Sequence, residues 1–186
     1  VDHRWAEAYL AWLLGNRHKR NYALKQIQYV KHVLAFAERE EAVPTNRLRY
    51  FRLGFEQKPI CYLSADEVRL IEQARFDEHL RYFADLFLLQ CETGLAYADL
   101  LRFGEYRVQA MQGRLCLLGG RQKSAVVFCV PITEKAKRLL ASLTDAGGRL
   151  PVPSNQHYNK MLKYIQGIVG IKEKLTTHLA RKTAGM

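Results

Sequence analysis

Between Tyr106 and Val130 the hydrophobic pattern changes its period, and that change limits what this chain can fold into. On either side, apolar residues recur every three to four positions; inside the window they alternate. Tyr106-Arg107-Val108, Leu115-Cys116-Leu117-Leu118 and Val126 to Val130 read as three short strands, parted by Gln112-Gly113 and by the run Gly119 to Ser124. Connections this short join antiparallel neighbours. The expected fold is therefore mainly α, with a small three-stranded antiparallel sheet set between helices.

The helices fall into two groups. Trp5, Tyr9, Trp12 and Leu13 recur at helical spacing until Gly15. After a basic turn, a second helix runs from Asn21 to about Glu41, with Ile27, Val30, Leu34 and Ala37 on one stripe. Two helices bury too little surface to stand alone, so residues 1–46 read as the end of a larger helical unit. Pro44, Asn46, Gly54 and Pro59 then interrupt any period, and Arg47, Arg49, Arg52 and Lys58 make residues 47–62 a basic linker. Such a strip suits a solvated connector and a path along a phosphate backbone equally well. Ser64-Ala65-Asp66-Glu67 is a capping-box signal that opens a second domain, residues 63–186. Its core helix, about Leu80 to Cys91, stops at Thr93-Gly94, and a short helix restarts through Asp99, Leu100 and Leu101. Beyond the sheet, helical signals cover Thr133 to Leu143 and Ser154 to about Gly170, the latter with Tyr158, Met161, Leu162 and Ile165 on one face.

Charge narrows the partners. Lys and Arg total 29 against 18 Asp and Glu, a formal net charge of +11, which points to a polyanion and most often to nucleic acid. The sequence holds no apolar run long enough to span a bilayer, no signal peptide at its start and no long basic amphipathic helix suited to a lipid surface. No membrane partner is expected. Cys61, Cys91, Cys116 and Cys129 are widely spaced with no C-x-x-C pair, so they read as buried thiols of a reducing cytoplasm. The histidines show no metal-ligand spacing, and no metal site is expected.

The closing stretch, Leu175 to Met186, carries the chemistry. His178 and Arg181 stand three apart, which on a helix puts them on one face within about 5–6 Å at Cβ. Arginine offers a planar fork of donors matched to an oxyanion, and imidazole adds one more hydrogen bond or a proton. Thr176 or Thr177 can cap the helix that presents them.

The order of these features resembles the tyrosine recombinase, or phage integrase, family. The likeness spans nearly the whole chain: a helical bundle, a basic linker, Tyr62-Leu63-Ser64-Ala65-Asp66-Glu67, a core helix into Thr93-Gly94-Leu95, a sheet with a lysine hairpin, and His178-x-x-Arg181. Thr93-Gly94-Leu95 followed by Asp99-Leu100, with His178-x-x-Arg181 about eighty residues later, is specific only as a set. Gly94-Leu95-Ala96-Tyr97-Ala98-Asp99 and Thr176-Thr177-His178-Leu179-Ala180-Arg181 look most like integrases of conjugative elements in the Bacteroidetes.

The resemblance implies site-specific DNA recombination, in integration or excision of a mobile element. One strand is cut by a tyrosine to give a 3′-phosphotyrosyl bond, and the released 5′-hydroxyl end is later rejoined to another strand. No cofactor and no small-molecule substrate are implied. The partner is double-stranded DNA carrying recombination sites, the full-length protein working on it as a homotetramer. Arg181 would hold the scissile phosphate, His178 would bond it or assist the tyrosine, and Lys123 would protonate the leaving 5′-oxygen. Arg121 is the neighbouring cation, and Asp99 organises the pocket. Arg47, Arg49, Arg52, Lys58, Arg121 and Lys182 would contact DNA. Two departures stand out. Ala96 occupies the place where the family usually has its first catalytic arginine, although some of the Bacteroidetes group lack that arginine too. The nucleophilic tyrosine and a further histidine or tryptophan are expected after Met186, so no tyrosine of this sequence is assigned as nucleophile. Ala96 also favours an alternative, a non-catalytic DNA-binding protein such as a degenerate integrase or a regulator of excision.

Overall fold

The computed structural model describes residues 1–57, 59–111, 113–120 and 126–184. The chain divides into two compact units, Val1–Pro59 and Ile60–Met186.

In the first unit, α1 (His3–Gly15) and α2 (Arg20–Arg39) pack around Ala6, Ile27 and Leu48, with Tyr9, Leu10, Val30, Leu34 and Phe51 against them. Asp2 caps α1 by accepting the Trp5 N–H at 2.9 Å. The segment after α2, the first part of the stretch read as a linker, folds back onto that helix because its polar groups find partners there. Lys31 Nζ donates to the carbonyls of Phe51 and Arg49 at 2.6 and 3.2 Å, Glu38 accepts the Asn46 N–H at 3.0 Å, and Leu48 is completely buried. Tyr22, Tyr29, Val33 and Phe36 form a second apolar stripe on α2 that remains exposed.

The second unit is built around α4 (Glu78–Thr93), a helix buried on nearly every side. Phe83, Ala84, Leu86 to Cys91 and Thr93 are all buried. Against it pack α3 (Ala65–Gln73), α6 (Glu134–Leu143), α7 (Asn155–Val169) and α8 (Thr177–Thr183). Ser64 and Glu67 complete the capping box of α3, with Ser64 N–H donating to Glu67 at 2.8 Å. Gly94 ends α4 at φ 65°, a conformation that costs glycine little, and α5 (Tyr97–Leu101) follows at once. Buried Gln90 governs that turn: its amide donates to the Leu95 carbonyl at 3.0 Å and accepts the Tyr158 hydroxyl of α7 at 2.9 Å.

The strands are β1 (Arg107–Met111), β2 (Arg114–Gly120) and β3 (Val127–Pro131), antiparallel in the order β1-β2-β3. Leu117 pairs with Val130 and Gly119 with Phe128, so one face, carrying Leu117, Phe128 and Val130, joins the core. The opposite face carries Met111, Cys116 and Cys129, since side chains alternate along each strand. Cys91 and Cys116 are buried, whereas Cys61 and Cys129 are exposed, in place of the uniformly buried thiols expected. No helix among the described residues is long and apolar enough to cross a membrane.

Tyr106 lies flat against β2. A Cβ added at Gly119 would stand 2.5 Å from Tyr106 Cδ1 and 2.7 Å from Phe128 Cζ. Gly119→Ala should therefore destabilise the protein by about 1–3 kcal/mol through overpacking, read as a lower urea midpoint at unchanged slope.

Candidate active site

Two short helices meet beside the end of α4. Helix α8 is anchored by its own threonines: Thr176 caps it, accepting the Leu179 N–H at 3.2 Å, and Thr183 Oγ1 accepts the Leu63 N–H at 3.0 Å. Leu179 and Ala180 turn into the core, which leaves His178 exposed and Arg181 partly covered on the same helix. On α5, Asp99 is almost fully buried and accepts the Ala96 N–H through Oδ2 at 3.0 Å, the third-residue half of a capping box. The same oxygen lies 3.7 Å from Arg181 Nη1. That distance is within ion-pair reach but beyond hydrogen-bond length. Among the described residues this is the one polar partner of Arg181, so its fork keeps donors for an anion.

Arg181 borders a cleft of about 450 Å³ between the end of α4, β3 and α8. Glu92, Thr93, Cys129 and Thr133 line the same cleft. Glu92 accepts the Thr133 hydroxyl at 2.9 Å and Lys135 Nζ at 3.0 Å, and Lys135 also pairs with Glu72 of α3. This ion network ties α3, α4 and α6 together where they flank the cleft. Residue spacing gives no hint of it, because its members lie far apart in the chain. Tyr106 is the other group missed in the sequence. Its hydroxyl is buried without a partner in hydrogen-bonding geometry among the described residues, and burial, then the Asp99 carboxylate, raise its pKa.

The remaining sequence-derived residues fall in different places. Arg47 and Arg52 are exposed on the first unit. Arg49 is exposed too, but its guanidinium is held by Glu38 at 2.7 Å, which raises its pKa. Lys182 follows Arg181 on α8. Lys58, Arg121 and Lys123 lie outside the described residues. Arg102, at the opposite end of α5 from Ala96, is engaged by Glu105 at 2.8 Å, and that bond raises its pKa. Among the described residues, no group of three or more His, Cys, Asp or Glu is placed to hold a metal ion.

No family model matches the chain, and no curated protein matches it by sequence. Its backbone does match solved structures. A lambda integrase, residues 75–356, in a dimer bound to a COC′ core site superposes with a TM-score of 0.74 over 99% of this chain and 69% of that one, at 17% identity. The Tn1549 transposon integrase, residues 82–397, in complex with circular-intermediate DNA gives 0.65 over 99% of this chain and 71% of that one, at 14% identity. The XerH site-specific recombinase, bound to difH substrate before cleavage, gives 0.64 over 99% of this chain and 58% of that one, at 13% identity. The chain has the tyrosine-recombinase fold. It spans about three-fifths to seven-tenths of the length of these neighbours.

Removing the Asp99 carboxylate leaves the Ala96 N–H without its acceptor and Arg181 without its counter-charge. Asp99→Ala should cost about 2–4 kcal/mol in denaturant unfolding. Asp99→Asn should cost less, since it retains an oxygen for the Ala96 N–H.

Proposed function

We propose that this chain is the DNA-handling part of a site-specific recombinase of a mobile element. The observation that carries the proposal is the Asp99–Arg181 contact at the mouth of a cleft, in a fold shared with DNA-bound integrases. A guanidinium partly neutralised by a buried carboxylate, with donors to spare, is suited to the nonbridging oxygens of one phosphodiester. Residues 1–46 act as the end of a DNA-embracing helical domain, residues 47–62 as a basic connector and residues 63–186 as part of the catalytic domain.

In this reading Arg181 holds the scissile phosphate and His178, one turn away, bonds it or assists the nucleophile. Lys123 delivers a proton to the 5′-oxygen as the P–O bond breaks, its acidity raised by Arg121. Asp99 fixes the aim of Arg181. Arg47, Arg49, Arg52, Lys58, Arg121 and Lys182 contact DNA phosphates. No tyrosine of this sequence is assigned to form the 3′-phosphotyrosyl bond, and the working form is a homotetramer on two DNA sites. The resemblance to integrases of Bacteroidetes conjugative elements fits a cytoplasmic setting.

One observation favours a second reading, a non-catalytic DNA-binding protein. Position 96 is alanine, and Arg102 is engaged by Glu105 in place of standing in for the missing guanidinium. Loss of one oxyanion donor typically costs about 3–4 kcal/mol of transition-state stabilisation.

Duplex DNA binding should weaken by about 10³–10⁵ between 50 and 200 mM salt if some 6–10 phosphates are neutralised. A flat response in a filter-binding or anisotropy titration removes both readings. A form that carries the nucleophile should leave a covalent complex with nicked site DNA on a denaturing gel. Lys123→Ala should weaken that complex, and a substrate with sulfur at the bridging 5′ position should restore it, because a thiolate leaves without a proton. Failure of the rescue removes Lys123 as general acid, and absence of any covalent complex favours the non-catalytic reading.

A further inference from the structure

Cys116 is 5% exposed although it sits on the face of the sheet that turns away from the core, and it takes no part in the main apolar cluster. The strand register accounts for this. Cys116 is the central residue, opposite Gln109 of β1 and Pro131 of β3. Met111 stands opposite Arg114, one same-face step towards one end of β2, and Cys129 stands opposite Leu118, one step towards the other. Met111 and Cys129 therefore occupy opposite corners of a patch centred on Cys116. In a twisted sheet two such corners curl towards each other over the middle strand. Here they meet: Cys129 Sγ lies 3.7 Å from Met111 Sδ, and Cys129 is close enough to Cys116 to raise the pKa of its thiol, second to burial. The Met111 and Cys129 sulfurs thus meet over the strand whose central residue on this face is Cys116.

We propose that Met111, Cys116 and Cys129 form a binding site for a soft d¹⁰ monovalent metal ion, Cu(I). Metal–sulfur bonds of about 2.3 Å in a trigonal arrangement put the sulfurs about 4 Å apart, close to the separation already present between Met111 and Cys129. The donor set selects the ion. Two thiolates and a thioether are soft ligands, and a thioether discriminates against magnesium, calcium and manganese, which seek oxygen. Zinc sites are built from thiolate, imidazole and carboxylate ligands, and the Met111 thioether is not among them. Two thiolates around one Cu(I) leave a single negative charge, and Arg107 and Arg114 lie on the same face of the sheet to offset it. Met111 and Cys129 are exposed, which opens a path for the ion from solvent. Cys91 is excluded as a donor, because it lies on α4 inside the apolar core, away from the outer face of the sheet. Cys129 also lines the cleft of Arg181, so an occupied site would fix the wall that faces that arginine.

The test is competition for Cu(I) against bicinchoninate, under reducing anaerobic conditions, with the whole chain. One Cu(I) should be retained per chain, and X-ray absorption should show three sulfurs at about 2.3 Å. Cys129→Ser should abolish retention. Met111→Leu, which changes an exposed side chain and leaves the core untouched, should weaken affinity at least about tenfold by removing one of three soft donors. Cys61→Ser should leave retention unchanged. No retention by the wild-type chain, retention that survives Cys129→Ser, or affinity indifferent to Met111→Leu would each overturn the site.

Discussion

The second unit depends on one buried amide. Gln90 sits with no solvent exposure among the apolar residues of the buried stretch of α4, and both ends of its side-chain amide are used. A buried amide left unbonded costs more than a made one contributes, so Gln90 demands its two partners in fixed positions. One partner is the Leu95 carbonyl, just past Gly94, and the other is the Tyr158 hydroxyl on α7. Satisfying Gln90 thereby sets the turn from α4 into α5 and the distance from α4 to α7. The turn in turn fixes Ala96 and Asp99.

The candidate site follows from that geometry. Asp99 is aimed by the Ala96 N–H, and Arg181 arrives from α8, whose packing on α4 brings Ala184 close enough that a Cβ at Gly94 would stand 3.4 Å from the Ala184 Cβ. Glycine at position 94 thus serves twice, supplying the left-handed turn and leaving room for α8. Glu92, two residues on from Gln90, anchors Thr133 and Lys135, so the cleft wall is braced by ions on one side and by backbone capping on the other. The charge balance is local: a strongly basic chain places Glu92 beside Lys135 and Asp99 beside Arg181, while Arg47 and Arg52 stay exposed.

Legibility in the sequence tracks the range of the interaction. Ser64 with Glu67, Thr133, Ser154 and Thr176 could be read as helix starts because a cap acts over three residues. Gly94 and Gly170 mark helix ends for the same reason, each in the left-handed region. The three strands show in the change of period, with boundaries shifted by one to three residues where pairing extends further than the pattern, as at Gln109 to Met111 and Gly119-Gly120. Arg49 reads as a free surface cation, yet it is held by Glu38, eleven residues earlier. Cys129 reads as buried within an apolar run, yet its alternate position puts it on the outer face.

By itself, the sequence determines the element types, their order, the cationic excess and the His178-x-x-Arg181 pair, all of which are set within a turn of helix or by simple counting. The tertiary structure decides which distant groups share a place. Asp99 and Arg181 meet only because Gln90 fixes one turn and α4 seats the helix bearing the other. Lys135 reaches both Glu72 and Glu92 because three helices converge, and Met111, Cys116 and Cys129 come together because strand register and twist fold two corners over one centre. Long-range proximity is a product of packing and register, and neither is written in local spacing.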